Sequence, residues 1–342
     1  MLVYFTPDQT VFNEDADSLV GHKRLMKIWR LHGVLAYAGP FEGSGIRNFI
    51  KSAPGKIRSL WEVELKRQKR ANLSKGSSDV GGFESTCQNL STRPGSAVIL
   101  GEKGWAAKGL NPADNCQPFS PAAHWQRFCA IDTDGPFSVA MCLKQRDITS
   151  DISREEVWNV WLEDYVRLER HLIVYDQYCL ETFLRKQSSP FDSGLGFLLK
   201  QVAATGFESA RVIEIFSATE IDKAQGTVKA VVENAHELFK RFCERELSGG
   251  SVGRVKLHTC FPSEWSKKMH RRYLRLGDHY WVKADWGLQP FDLERKGPNC
   301  SLVVTDYSEK SNREEEGRLR STRFVTSEVD IRSSCGSKKI NW

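Results

Sequence analysis

Apolar residues recur along this chain at two periods, and the switch between them marks its elements. Leu2–Phe5 is a short β-prone run ended by Pro7. Leu25, Ile28 and Trp29 fall at helical spacing within Leu19–Leu31, and Gly33 supplies a stop. Val34–Ala38 reads as a second strand, closed by Gly39-Pro40. A long charged helix is predicted over Lys56–Leu73, with Ile57, Leu60, Trp61 and Leu65 marking one face. Ser74–Pro121, rich in Gly, Ser, Asn and Pro, predicts loops with at most one hairpin. Phe128–Ile131 and Phe137–Leu143 return as strands around the turn Asp132-Thr133-Asp134-Gly135-Pro136.

From Ser153 the pattern sharpens. Ser153-Arg154-Glu155-Glu156 is a capping box. It opens a helix with Val157, Trp161, Tyr165 and Leu168 on one stripe. The chain then alternates: strand His171–Tyr175, helix Phe191–Thr205, strand Arg211–Phe216, a long helix whose stripe includes Val228, Ala235, Phe239 and Phe242, and strand Val252–His258. That order is the signature of an α/β sheet with crossover helices. Tyr273–Leu276 and Tyr280–Ala284 flank Gly277-Asp278-His279 as a hairpin, and Ser301–Thr305 is a final strand. The expected organisation is a smaller α+β domain over 1–150, an α/β domain with a mixed sheet flanked by helices over 151–307, and a polar tail over 308–342.

Composition narrows the class. The chain has 342 residues, 40% hydrophobic and 27% charged, enough to bury a real core in two domains. Its apolar runs fall far short of a membrane span, and Met1–Phe5, with no basic flank, does not read as a signal peptide. Nine scattered cysteines without a Cys-x-x-Cys pair favour reduced thiols and a cytoplasmic protein. A net charge of +6 is compatible with a polyanionic partner without demanding one.

Local clustering is more informative. Lys267, Lys268, His270, Arg271, Arg272 and Arg275 crowd the entrance to the hairpin. Residues two apart on a strand share a face, so His270 and Arg272 project together. Such a pair suits phosphate: the guanidinium holds oxygens bidentately, and the imidazole can attack or transfer a proton. The competing reading is a solvated strand edge whose charges discourage aggregation.

The order strand, helix, strand, helix, strand, then His270-Arg271-Arg272-Tyr273 and Trp286-Gly287-Leu288-Gln289-Pro290-Phe291, with Leu172–Tyr178 as first strand, resembles the phospholipase D-like superfamily. Within it the likeness is to the C-terminal domain of MIT-domain proteins and to bacterial phospholipase D-like modules. It spans about residues 172–306. Active members carry His-x-Lys followed four residues on by aspartate, in two copies that meet. Here Arg272 replaces the lysine, Asp278 fits only with one extra residue, and no second motif pairs with the first. The resemblance therefore implies a phosphate-rich ligand more firmly than a reaction. MIT-domain relatives bind acidic lipid surfaces; bacterial relatives serve nucleic-acid handling or phage defence.

Two further candidates come from the first half. Lys66, Arg67, Lys69 and Arg70 end the predicted helix as a second basic surface for nucleic acid, although Glu62 and Lys66 can simply pair along the helix. Asp8, Asp132 and Asp134 sit at predicted strand ends, where PIN-like metal nucleases gather Mg²⁺, and Glu62 or Glu64 could complete the set. Asp-Thr-Asp-Gly-Pro is equally an ideal turn. Trp265, Trp281 and Trp286 lie near the basic hairpin as stacking platforms. The favoured expectation is a cofactor-free nucleic-acid-binding component of a prokaryotic antiviral defence system, working with a protein partner. Its rivals are a phosphodiesterase or nuclease, using His270 and Arg272 in a homodimer or an Asp8/Asp132/Asp134 metal site, and, less favoured, an acidic-membrane adaptor.

Overall fold

The computed structural model describes residues 2–12, 18–73, 82–142, 145–206, 210–219, 228–266, 272–293 and 300–331. It divides into two units, Met1–Lys144 and Gln145–Trp342. No described helix is long and apolar enough to cross a membrane.

The first unit is built on a six-stranded sheet in the order β3-β2-β1-β4-β6-β5. Its strands are β1 (Val3–Pro7), β2 (Gly33–Tyr37), β3 (Arg70–Asn72), β4 (Ser96–Leu100), β5 (Cys116–Pro118) and β6 (Ala123–Arg127). All neighbours are parallel except β5 and β6. This corrects the α+β expectation: the unit is α/β. Ser96–Leu100 is buried throughout, as befits a parallel strand covered on both faces. Helices α1 (Ser18–His32), α2 (Gly45–Ser52), α3 (Gly55–Leu65) and α6 (Gly135–Cys142) enclose one core with Phe5, Trp29, Ile50, Trp61 and Phe137. Helices α4 (Phe83–Leu90) and α5 (Glu102–Ala107) cover a second core containing Leu90, Val98 and Trp105.

Four local expectations change. The stretch 74–121, expected as loops, carries α4, β4, α5 and β5 among its described residues. The helix expected over 56–73 stops at Leu65, and Arg70–Asn72 instead joins the sheet edge beside β2. The Lys69 carbonyl accepts from Trp29 Nε1 and from the Leu35 amide, both at 3.0 Å, so long-range partners override local helix propensity. The strand expected at Phe128–Ile131 ends earlier, at Arg127, and the strand expected from Phe137 gives way to α6, which ends at Cys142. There Asp134 Oδ1 accepts the Gly135 amide at 2.7 Å, Gly135 has φ +73°, and Pro136 follows at the first turn.

His22 gives this unit a pH signature. It is fully buried, accepts from Trp61 Nε1 at 3.0 Å through Nδ1, and stacks with Phe12. Burial pushes its pKa from 6.5 down to about 4. The unfolded chain therefore binds the proton first, and stability is complete above pH 6.5 and declines as pH falls towards 4. At most about 3 kcal/mol is lost through this group. His22→Gln, which keeps an acceptor for Trp61, is expected to flatten the thermal-melting profile over that window. Superimposable profiles would discard this assignment.

The second unit has an eight-stranded sheet, β14-β10-β9-β8-β11-β12-β13-β7. Its strands are β7 (Gln145–Ile148), β8 (His171–Tyr175), β9 (Arg211–Ala218), β10 (Val252–Cys260), β11 (Arg272–Leu276), β12 (Tyr280–Ala284), β13 (Cys300–Asp306) and β14 (Val325–Asp330). β8, β9 and β10 are parallel, and every other pairing is antiparallel. Helices α7 (Arg154–Val157) and α8 (Glu163–Leu168) are joined by a π-helical turn, with Ser153 Oγ accepting the Glu156 amide at 3.1 Å as the capping box requires. Then come α9 (Cys179–Arg185), α10 (Gly194–Ala204), α11 (Val228–Glu246), α12 (Pro262–Ser266) and α13 (Lys310–Arg320). α9 is not among the expected elements, although its Cys179, Leu180 and Phe183 are buried at helical spacing. Its Phe183 meets Phe239 and Phe242 of α11 edge-on.

The domain limits of 151 and 307 are both too narrow. β7 joins this sheet at its β13 edge, and the supposed tail supplies α13 and the edge strand β14. The buried residues of α13 are Asn312, Glu316 and Leu319. Two of those three are polar, which hides the helix from a hydropathy reading.

Candidate functional site at the carboxyl end of β8

Along the sheet, β8 has β9 on one side and β11 on the other, so strand order reverses there. Open α/β sheets bind ligands at the carboxyl ends of strands flanking such a point. Two oppositely charged side chains meet in that place. Asp176 follows β8 directly, and Arg272 opens β11. Asp176 is only 4% exposed. Its Oδ1 accepts the Tyr178 amide at 2.9 Å, its Oδ2 accepts the Leu288 amide at 2.7 Å, and Arg272 Nε lies 3.6 Å away. Burial raises the Asp176 pKa, while those backbone bonds and the guanidinium work in the opposite direction. The turn that delivers Leu288 needs Gly287, whose φ is +58°; a Cβ there would overlap the Asp176 carboxylate.

Arg272 is held on three sides. Besides Asp176, its Nη1 donates to the Asp285 carbonyl at 2.8 Å, and its guanidinium lies over the Tyr178 ring at 5.1 Å. The arginine side chain stays 19% exposed and Tyr178 41% exposed, so both present a surface to solvent. Opposite them is the start of α10. Ser193 Oγ accepts the Gly196 amide at 3.1 Å, and Asp292 Oδ1 accepts the Gly194 amide at 2.5 Å. Burial raises the Asp292 pKa as well. The crevice between these groups, with Thr182, Trp286 and Gln289 on its walls, holds about 20 Å³ of free space. That is room for about one water molecule.

Of the residues singled out from sequence, Lys267, Lys268, His270 and Arg271 lie outside the described residues. Arg272 is at the crevice, but Arg275 is on the opposite face of β11. There it donates to both oxygens of Glu316 at 3.0 Å, pairs with Asp278 and lies over Tyr307. Glu316 also accepts from Tyr175, Tyr307 and Arg320. Arg275 is thus part of the seat of α13, and its donors already have partners. Trp265 and Trp281 are core residues, 3% and 0% exposed; Trp286 alone of the three expected platforms reaches the crevice. Sequence reasoning assigned no role to Asp176, Tyr178, Asp292 or the α10 N-terminus. Ser193-Gly194-x-Gly196 was the available signal for the last.

In the first unit, Lys66, Arg67 and Arg70 are exposed and Lys69 is buried, so the four do not form one face. Arg70 lies over Phe41 at 4.7 Å. Asp8 follows β1 and turns back on its own loop, accepting from the Thr10 amide at 3.0 Å and its hydroxyl at 2.5 Å. Asp132 pairs with Arg24 at 3.3 Å, Asp134 accepts the Gly135 amide, Glu64 pairs with Arg30, and Glu62 lies 3.9 Å from Arg47. Among the described residues no three His, Cys, Asp or Glu side chains converge as metal ligands.

No protein-family model and no curated protein matches the chain. Among solved structures, NucT from Helicobacter pylori aligns with 53% of this chain and 99% of its own, at 10% sequence identity and a TM-score of 0.28.

Proposed function

We propose that the second unit binds a phosphate-bearing ligand, a nucleic acid strand, across the crevice at the carboxyl end of β8. Arg272 takes a backbone phosphate, and Tyr178, with Trp286 beside it, offers a ring on which a base stacks. The observation that carries this reading is the Arg272 guanidinium held over Tyr178 at the point where strand order reverses. Asp176 and the Asp285 carbonyl fix its direction, so little side-chain freedom remains to be lost on binding. An aromatic ring beside a fixed cation is the combination that holds single strands without reading their sequence.

The test is fluorescence anisotropy with labelled single-stranded oligonucleotides across a salt series. Tyr178→Ala removes an exposed ring and is expected to weaken binding by about 1–3 kcal/mol, roughly 5- to 150-fold. Arg272→Lys, which keeps the charge beside Asp176 but loses the fork, should also weaken it. Unchanged affinity in both variants would discard the crevice as the site.

A further inference from the structure

The charge of the first unit is distributed unevenly. Residues 18–73 contain twelve lysines and arginines against three acidic residues, a net of +9 where the whole chain carries +6. The acidic Glu14, Asp15 and Asp17 come just before this segment. α1 itself contains no acidic residue. The three helices of the segment, α1, α2 and α3, turn their apolar residues into a single core, with Trp29, Ile50 and Trp61 among them. Their outward positions include Lys23 and Lys27 of α1, Lys51 of α2, and Lys56 and Arg58 of α3, with Lys66 next after α3; all are exposed. α1 and α3 lie side by side, since Trp29 and Trp61 have ring centroids 5.5 Å apart and Arg30 pairs with Glu64.

The acidic residues of this layer are taken up by arginines. Glu64 pairs with Arg30, Glu42 and Glu62 with Arg47, and Asp132 with Arg24. Among the described residues, Lys23, Lys27, Lys51, Lys56 and Lys66 have no carboxylate within 4.0 Å. Like charges gathered on one layer repel one another, and an external polyanion relieves that repulsion. We infer that the outer face of α1, α2 and α3 is a second nucleic-acid surface, one that engages the backbone of a duplex without reading bases. Lysines suit that role as point charges on flexible stems, and α1 at roughly 22 Å long can follow several phosphates. A membrane surface is the less suitable partner. An interfacial helix buries outward-facing Trp, Phe or Leu in lipid, whereas Trp29 and Trp61 are wholly internal and, among the described residues of α1, α2 and α3, the exposed large apolar side chains are the single valines Val20 and Val63.

This inference shares with the crevice reading only the class of ligand, and a different set of residues tests it. Full-length protein carrying Lys23→Gln, Lys27→Gln and Lys66→Gln is titrated with a labelled duplex at several salt concentrations, beside wild type and Tyr178→Ala. Each lost phosphate contact should reduce the slope of log K against log salt by about 0.9, so the triple variant should be shallower by roughly 2 to 3. Its duplex affinity at low salt should fall at least about tenfold. Thermal melting, expected to be unchanged for surface substitutions, separates this loss from misfolding. A triple variant with wild-type slope and affinity would overturn the inference. So would wild-type protein that ignores duplex yet sediments with phosphatidylserine vesicles. Loss of duplex binding in the triple variant alongside unchanged single-strand binding in Tyr178→Ala would remove the crevice reading and keep this one. The converse pattern would keep the crevice and remove this one.

Discussion

Glu316→Ala is expected to destabilise the second unit by about 3 kcal/mol, the lower end of what breaking a buried ion pair usually costs. Glu316 is 3% exposed. Burial disfavours its charge, but hydrogen bonds from Tyr175, Tyr307 and Arg320 and the charge of Arg275 together hold its pKa below the usual carboxylate range. Removing the carboxylate leaves the Arg275 guanidinium, whose side chain is 13% exposed, with only the solvent-exposed Asp278 as its carboxylate partner, and deprives two tyrosine hydroxyls of their acceptor. Arg320 retains Glu214 at 3.2 Å and Arg275 retains Asp278, so the loss falls on the buried end of the Arg275 pair and on the two hydroxyls. Urea denaturation with an unchanged m-value would measure it. Glu316→Gln, which keeps some of the hydrogen bonds but not the charge, should fall between wild type and alanine. A loss under about 1 kcal/mol would mean that α13 is seated by Leu319 and its apolar neighbours rather than by this carboxylate.

The second large effect is expected at Gly194. Alanine normally gains in a helix, by as much as about 1 kcal/mol over glycine. At Gly194 the sign should reverse. A Cβ there would fall on the Leu288 carbonyl oxygen, well inside the 3.0 Å that real Cβ atoms respect, and the obstacle is backbone that cannot rotate away. Gly194→Ala is therefore expected to lose about 3 kcal/mol, near the upper end of overpacking penalties. It should also weaken oligonucleotide binding, because the Leu288 amide that it displaces is a hydrogen-bond donor to Asp176. Gly317→Ala in α13 is the matched control, since its Cβ would meet nothing within 4 Å and should not lower stability. Equal melting temperatures for Gly194→Ala and wild type would show that α10 and the Leu288 turn can separate without penalty.

The two effects concern opposite faces of the sheet, and one strand divides them. Arg272 and Arg275 both lie in the short β11, three residues apart, so alternation sends one to the crevice and the other under α13. From sequence the pair reads as one basic cluster. In the fold they have unrelated surroundings: Asp176, Tyr178 and the Asp285 carbonyl for the first, Glu316, Asp278 and Tyr307 for the second.

The chain's own pattern determined the strands β8 to β13, the helices α10 and α11, and the hairpin around Gly277-Asp278-His279. These rest on signals within a few residues of each other: apolar positions at helical spacing in α10 and α11, and turn residues between two β-prone runs. What the tertiary structure alone decided has the opposite character. Arg70–Asn72 became a strand because β2 offered it an edge, and Phe137 became helical in a glycine- and proline-started turn packed on Phe5. α13 was invisible because its buried face is largely polar and is satisfied by Tyr175, 141 residues away, and by Arg275. The crevice likewise joins Asp176, Gly194, Arg272 and Asp292, which no local spacing connects. Periodicity encodes which residues turn inward, but a buried polar group is tolerable only beside its partner, and long-range chain packing chooses that partner.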